Sequence, residues 1–211
     1  FNQKALGICE KNTLAGVLLF QNACKKKGVK PILGMTIDVV DLDEVKKEAK
    51  LYVKNSIGWR NLMNIGNIIN NRDVDLRSIK IDELIKYSEG LYFVFSKNWV
   101  REKDFDLDKY SSFEDLFFQI DTSEYSSDSI DLHYLESFHD WINFTDFGSN
   151  KVKPLLLGDS YYINKNDYLC KKMLNQIDFG ASYLQSNEQF FKPLEYHYNK
   201  LELMASDETF Y

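Results

Sequence analysis

Hydrophobic positions along the chain alternate between strand-like and helix-like spacing. Ala5 to Ile8 reads as a short buried strand, and Thr13 follows as a cap for a helix whose apolar residues Leu14, Val17, Leu18, Phe20 and Cys24 recur at helical intervals. Gly28 stops that helix. Lys25, Lys26 and Lys27 complement its dipole at the last turn, and Pro31 to Val40 supplies a second strand. A charged turn over Asp41 to Lys47 leads to a strand over Ala49 to Val53, and Ser56 opens a helix carrying Leu62, Ile65, Ile68 and Ile69. Asn70 to Asp75 breaks it. Asp82 caps a short helix through Tyr87, Gly90 ends it, and Leu91 to Phe95 is an apolar run of strand length.

The second half repeats the alternation less regularly. Lys97 to Glu114 is charge-rich with few apolar anchors, Leu116 to Ile120 is a strand, and Asp121 to Ser129 is a polar loop. Ile130 to Phe144 has helical periodicity through Leu132, Leu135, Phe138 and Ile142. Pro154 to Leu157 is a late strand, followed by a helix from about Asn166 to Ile177. Strands and helices in this order predict an α/β domain on a parallel sheet, either doubly wound or closed into a barrel. No internal repeat or low-complexity linker interrupts it.

Composition narrows the class only slightly. With 211 residues, 44% hydrophobic and 27% charged, the chain suits one well-packed domain. No apolar run approaches the roughly 18 residues of a membrane span. The opening Phe1-Asn2-Gln3-Lys4 reads as a cut edge rather than a signal segment. Cys9, Cys24 and Cys170 are widely spaced, which fits a reducing cytoplasm and suggests neither a disulfide framework nor a zinc knuckle. A net charge of −6 opposes strong binding of this segment to a phosphate backbone, so any role with DNA is expected to run through a larger parent protein.

Five phrases, in order, carry a family resemblance. They are Ala5-Leu6 through Gly16 with Ala23 to Gly34; Lys54-Asn55 with Gly58-Trp59-Arg60-Asn61-Leu62; and Ile81-Asp82-Glu83-Leu84 with Tyr87-Ser88-Glu89-Gly90-Leu91. Pro154 to Tyr162 is the fourth, and Glu188-Gln189-Phe190-Phe191-Lys192 is a weaker fifth. Together they resemble the N-terminal PHP (polymerase and histidinol phosphatase) domain of bacterial DNA polymerase III alpha subunits. The resemblance implies a distorted (β/α)7 TIM-like barrel over residues 1–187, with 188–211 as an exit segment towards the polymerase palm. It also implies a preceding strand–helix unit with a His-x-His motif, missing from this chain.

Active members of the family hold zinc, manganese or iron at the barrel mouth and cleave phosphoesters there. The family's Thr-Asp-His-Gly corresponds to Cys9-Glu10-Lys11-Asn12, its Gly-x-Glu to Gly34-Met35-Thr36, and its Asp-x-His to Asp159-Ser160-Tyr161. Glu10 and Asp159 remain possible oxygen ligands. Lys11, Thr36 and Tyr161 replace an imidazole, a carboxylate and an imidazole, and Lys11 is expected to neutralise Glu10 or Asp159. The expectation is therefore a degenerate site with no catalytic residue, no bound metal and no cofactor in this segment; magnesium would belong to the palm outside this chain. The implied role is structural and accessory within a replicative polymerase, with the rest of the alpha subunit as partner and a proofreading exonuclease as a possible further one. A free-standing PHP phosphoesterase and a diverged protein-binding barrel are the alternatives.

The remaining candidates have plainer readings. His133 and His139 lie roughly 240° apart on one helix, which excludes an i, i+4 metal pair. His197 reads as a surface residue between Tyr196 and Tyr198. The pairs Asp41/Asp43, Asp73/Asp75 and Asp106/Asp108 sit in turns, where aspartate bonds its own backbone. The 15 Phe and 13 Tyr suit core packing better than a base-stacking surface, with Trp99 and Tyr110 the least explained.

Overall fold

A computed structural model describes residues 3–40, 45–97, 99, 106–122, 152–180 and 189–205. Strand β1 (Ala5–Lys11) is followed by α1 (Val17–Lys26), β2 (Lys30–Val40), β3 (Lys46–Val53) and α2 (Ser56–Asn70). Short β4 (Ile79–Lys80) and α3 (Ile81–Leu84) precede β5 (Leu91–Phe95) and β6 (Asp115–Ile120). β7 (Val152–Leu156), α4 (Tyr168–Phe179) and α5 (Leu194–Ala205) complete the described elements. The helix expected over Ile130–Phe144, with His133 and His139, lies outside the described residues, as does Asp41/Asp43.

The strands form one seven-stranded mixed sheet in the order β1-β2-β3-β5-β6-β7, with β4 beside β2. This departs from the parallel sheet expected from the alternation. β1/β2, β2/β4 and β5/β6 pair parallel, whereas β2/β3 and β3/β5 pair antiparallel. Connection length explains the first reversal: only residues 41–45 separate β2 from β3, and a parallel return needs a crossover of about a dozen residues or more.

Strand parity sorts the sheet into two chemically different faces. Met35, Ile37, Val39, Ala49, Leu51, Phe93, Phe95 and Phe118 are all buried on one face. Helix α2 covers part of it with Leu62, Ile65 and Ile69, and Gly66 lies against the Met35 thioether. The polar segment after β5 covers more. Trp99, Tyr110 and Phe113 are buried there, with Phe95–Trp99, Phe95–Tyr110 and Phe93–Phe113 ring centroids 5.1, 5.0 and 5.0 Å apart. Charge density in the sequence hid this aromatic cluster. The opposite face carries Thr36, Asp38, Glu48, Lys50 and Asp115.

Two of the resembling phrases meet in one joint. Asn55 caps α2, its side-chain oxygen accepting from Ile57 and Gly58 N–H at 3.0 Å. Gly90, at φ 73°, accepts from Lys54 N–H at 2.9 Å, and Asn61 donates to the Glu89 carbonyl at 2.9 Å. A Cβ on Gly58 would stand 1.8 Å from the Gly90 carbonyl oxygen, so only glycine permits this approach of helix to turn. Helix α1 starts later than its sequence suggests: Thr13 accepts from Ala15 N–H in a turn, and Gly16 is the N-cap. Val17 and Cys24 are its buried residues, while Leu18 faces solvent, contrary to its expected place in the core stripe.

The chain divides into two compact units, residues 1–118 with 139–154 and residues 119–138 with 155–211.

Candidate functional site

In the first unit the structure separates Glu10 from Lys11. Neighbours on a strand point to opposite faces. The Glu10 carboxylate accepts from Gly16 N–H at 3.0 Å, which places an anion at the start of α1, where the helix dipole favours it. Lys11 shares the other face with Thr36, its register partner. Its ammonium donates to Asp38 at 2.5 Å and Glu48 at 2.9 Å. The expected pairing with Glu10 or Asp159 is thus replaced by an ion pair reaching across β2 to β3, and for Glu10 the reason is strand parity.

Thr36 is buried, and its hydroxyl donates to the Cys9 carbonyl at 3.2 Å, with the Cys9 sulfur 3.4 Å away. Beyond it, the buried Lys50 lies 3.5 Å from Glu48. Two ammonium and two carboxylate groups therefore form one neutral network. Burial opposes the charge on Lys11, yet hydrogen bonds and attraction from Asp38 and Glu48 raise its pKa above the usual lysine value. Burial likewise works against ionised Glu48, and Lys50 and Lys11 overcome it to hold that carboxyl below its ordinary range. Nothing in the sequence singled out Asp38, Glu48 or Lys50; the signal was their alternation along two strands, which becomes a cluster only once β2 and β3 are paired.

A second charged group lies farther along the same face. Lys54 pairs with Glu114 and Asp115, and Lys153 donates to Asp115 at 2.9 Å. Lys54 and Lys153 also lie 5.6 and 5.8 Å from the ring centroids of Tyr92 and Phe117. The Asp115 carboxyl is held below its usual pKa by the Lys153 hydrogen bond, with burial opposing and Lys54 assisting.

In the second unit, Asp159 donates its backbone N–H to the buried Asp121 carboxylate at 3.3 Å. Tyr161 is 57% exposed, donates its N–H to the Gln189 carbonyl at 2.9 Å, and has the Lys171 ammonium 5.4 Å from its ring. Tyr162 bridges Phe190 in parallel fashion, which joins the fourth and fifth resembling phrases. His197 departs from the surface position expected of it. It is buried, with Nδ1 2.9 Å from Thr122 Oγ1, and a Cβ on Gly158 would lie 2.5 Å from its Cε1. Burial lowers its pKa most; Asp121 pulls the other way, and Lys192 lowers it further. The first turn of α5 presents this ring inward, and packing against Gly158 leaves it little contact with water.

Turns account for the described aspartate pairs. Asp106 accepts from Asp108 N–H at 3.0 Å, whereas Asp73 stands at the N-cap position of the single turn Val74–Leu76 with no side-chain cap hydrogen bond, its backbone carbonyl accepting from Leu76 N–H at 2.8 Å. Among the described residues no three His, Cys, Asp or Glu side chains converge to hold a metal ion. No described helix is long and apolar enough to cross a membrane.

Known proteins place this arrangement. The PHP domain family matches residues 1–121. The chain is similar to the DNA polymerase III subunit alpha of Halalkalibacterium halodurans, 29% identical over 99 residues, covering 46% of this chain and 9% of that protein. It is also similar to the subunits of the same name from Bacillus subtilis, 29% over 90 residues, and Borreliella burgdorferi, 30% over 101 residues. Those matches cover 41% and 43% of this chain and 8% and 9% of the relatives, so the chain corresponds to less than a tenth of each. With more than half of its residues matched, including β1 to β6 and the Lys11–Asp38–Glu48 network, the chain belongs to the PHP domain family.

Proposed function

We propose that this chain is the PHP-type domain of a DNA polymerase III alpha subunit, a structural and accessory module in DNA replication without phosphoesterase activity of its own. The resemblance to three such subunits supports the first half of this reading. The state of Lys11 carries the second: where active members offer an imidazole, this chain holds an ammonium fixed between Asp38 and Glu48. An ammonium has no lone pair to give a metal and repels a cation placed beside it.

The other donors fit a metal no better. Thr36 offers a neutral hydroxyl in place of a carboxylate, the Glu10 carboxylate already accepts from a helix amide, and Tyr161 offers a largely exposed phenol. In this reading the sheet is an arc of a distorted (β/α)7 barrel over residues 1–187, and residues 188–211 lead towards the palm. The rest of the alpha subunit is the principal partner, a proofreading exonuclease a further one, and the cytoplasm the place of action.

Metal analysis of the purified protein tests the loss of the site. The expected content is below about a tenth of an equivalent of zinc, manganese or iron after dialysis, since an affinity too weak for a built site does not survive it. Near-stoichiometric metal together with phosphoesterase turnover would replace this reading with that of a working hydrolase.

A further inference from the structure

Five lysines crowd one corner of the first unit. Lys25, Lys26 and Lys27 close α1, and Gly28, at φ 67°, turns the chain towards β2. Lys30 N–H donates to the Lys4 carbonyl at 2.9 Å, and Val29 N–H returns to the Cys24 carbonyl at 3.0 Å, so Lys4 and Lys30 stand beside the helix end. All five are exposed, and among the described residues none of them pairs with a carboxylate. Lys11, Lys50, Lys54 and Lys153 each have one. The helix dipole accounts for little of this excess, since a C-terminus carries about half an elementary charge, which a single ammonium outweighs. Cations gathered without counter-charge repel one another, and a bound anion relieves that repulsion.

The exposed face of α1 selects among anions. At about 100° per residue, Leu18, Leu19, Asn22, Ala23, Lys25 and Lys26 fall on one arc of roughly 160°, away from the buried Val17 and Cys24. Leu18 and Leu19 are 69% and 77% exposed at its N-terminal end. A nucleic-acid single strand gains from rings on which its bases stack, and this arc has none. A peptide uses both halves, because apolar side chains cover the leucines while carboxylates meet the lysines. The step from Leu18 to Lys25 is roughly 10 Å along the helix axis, a distance that about three residues of extended peptide span.

We propose that this corner binds an acidic peptide segment of another protein, with an apolar anchor about three residues from a run of aspartate or glutamate. Leu18 and Leu19 receive the anchor. Lys25, Lys26 and Lys27, flanked by Lys4 and Lys30, receive the acids.

The probe is the fluorescein-labelled peptide Leu-Phe-Gly-Ser-Asp-Glu-Asp-Glu, titrated by anisotropy against the full-length protein encoded by the gene. At about 50 mM salt it is expected to bind at least about tenfold tighter than the counterpart with Asn and Gln in place of its acids, an advantage that shrinks to within about twofold at about 1 M, where screening acts within about 3 Å. The triple substitution Lys25→Gln, Lys26→Gln and Lys27→Gln is expected to weaken the acidic probe at least about fivefold. Leu18→Ser with Leu19→Ser is expected to weaken it at least about threefold and to leave its salt dependence in place. These five side chains are exposed, so both variants keep the fold. Equal binding of the two peptides by the wild type, or an acidic probe indifferent to either variant, overturns the proposal. Tighter binding of pentathymidylate or of phosphatidylserine vesicles than of the acidic peptide, lost in the lysine variant, also overturns it, because the corner then serves a phosphate ligand.

Discussion

At position 11 the ammonium lies on the sheet face of Asp38 and Glu48, 45% exposed, so each of its ion pairs contributes no more than about 1 kcal/mol. The network therefore keeps a displaced charge harmless more than it stabilises the sheet. His197 is the residue whose titration matters most. Its folded pKa is depressed below the unfolded 6.5, so the stability it contributes is present above that value and is lost as pH falls through it. Glu48, Glu83 and Asp115 are also depressed, but from 4.5, 4.5 and 3.8, so their losses begin at lower pH. The thermal midpoint is expected to fall between about pH 7.5 and about pH 5.5, by about 2–4 °C for each kcal/mol lost. His197→Gln, which stays neutral, is expected to remove that step; an identical pH dependence in both proteins would contradict the burial argument.

At the scale of elements, the joint of α2 with the turn before β5 joins segments whose bonded residues lie 28 to 36 positions apart, Lys54–Asn61 with Glu89–Gly90. Its hydrogen bonds run through backbone and amide groups, so the resembling phrases there are architectural in role. Gly58→Ala is expected to lower the unfolding free energy by about 3 kcal/mol in urea titration, because a methyl 1.8 Å from a carbonyl oxygen forces helix and turn apart. An unchanged midpoint would show that the joint yields freely. The β2–β3 hairpin teaches a related lesson: five intervening residues outweigh a strand–helix rhythm seen elsewhere in the chain.

For the molecule as a whole, charge pairing matters as much as net charge. Among the described residues Lys11, Lys50, Lys54 and Lys153 each face a carboxylate, so they form no open basic stripe, and the chain carries −6 overall. Binding of a short duplex at physiological salt, read by fluorescence anisotropy, is expected to be no tighter than roughly the 10⁻⁴ M end of nonspecific affinity. Submicromolar binding would assign this segment a direct DNA contact that its electrostatics oppose.

Periodicity along the chain determined the α/β class, most of the strands and α2, because side-chain alternation and helical spacing are local properties. The phrases around Gly34, Asn55 and Gly90 determined the family; the reading of Lys11, Thr36 and Tyr161 as replaced ligands belongs to the proposed function and rests on their places in the resembling phrases. Pairing decided the rest. Strand direction followed from connection length, Lys11 found Asp38 and Glu48 only through the β1–β2–β3 register, and Trp99 and Tyr110 entered the core because β5 offers them Phe93 and Phe95. His197 became buried through Thr122, a residue 75 positions away. Contacts over such separations leave no local periodic trace, since folding brings together residues that spacing along the chain keeps apart.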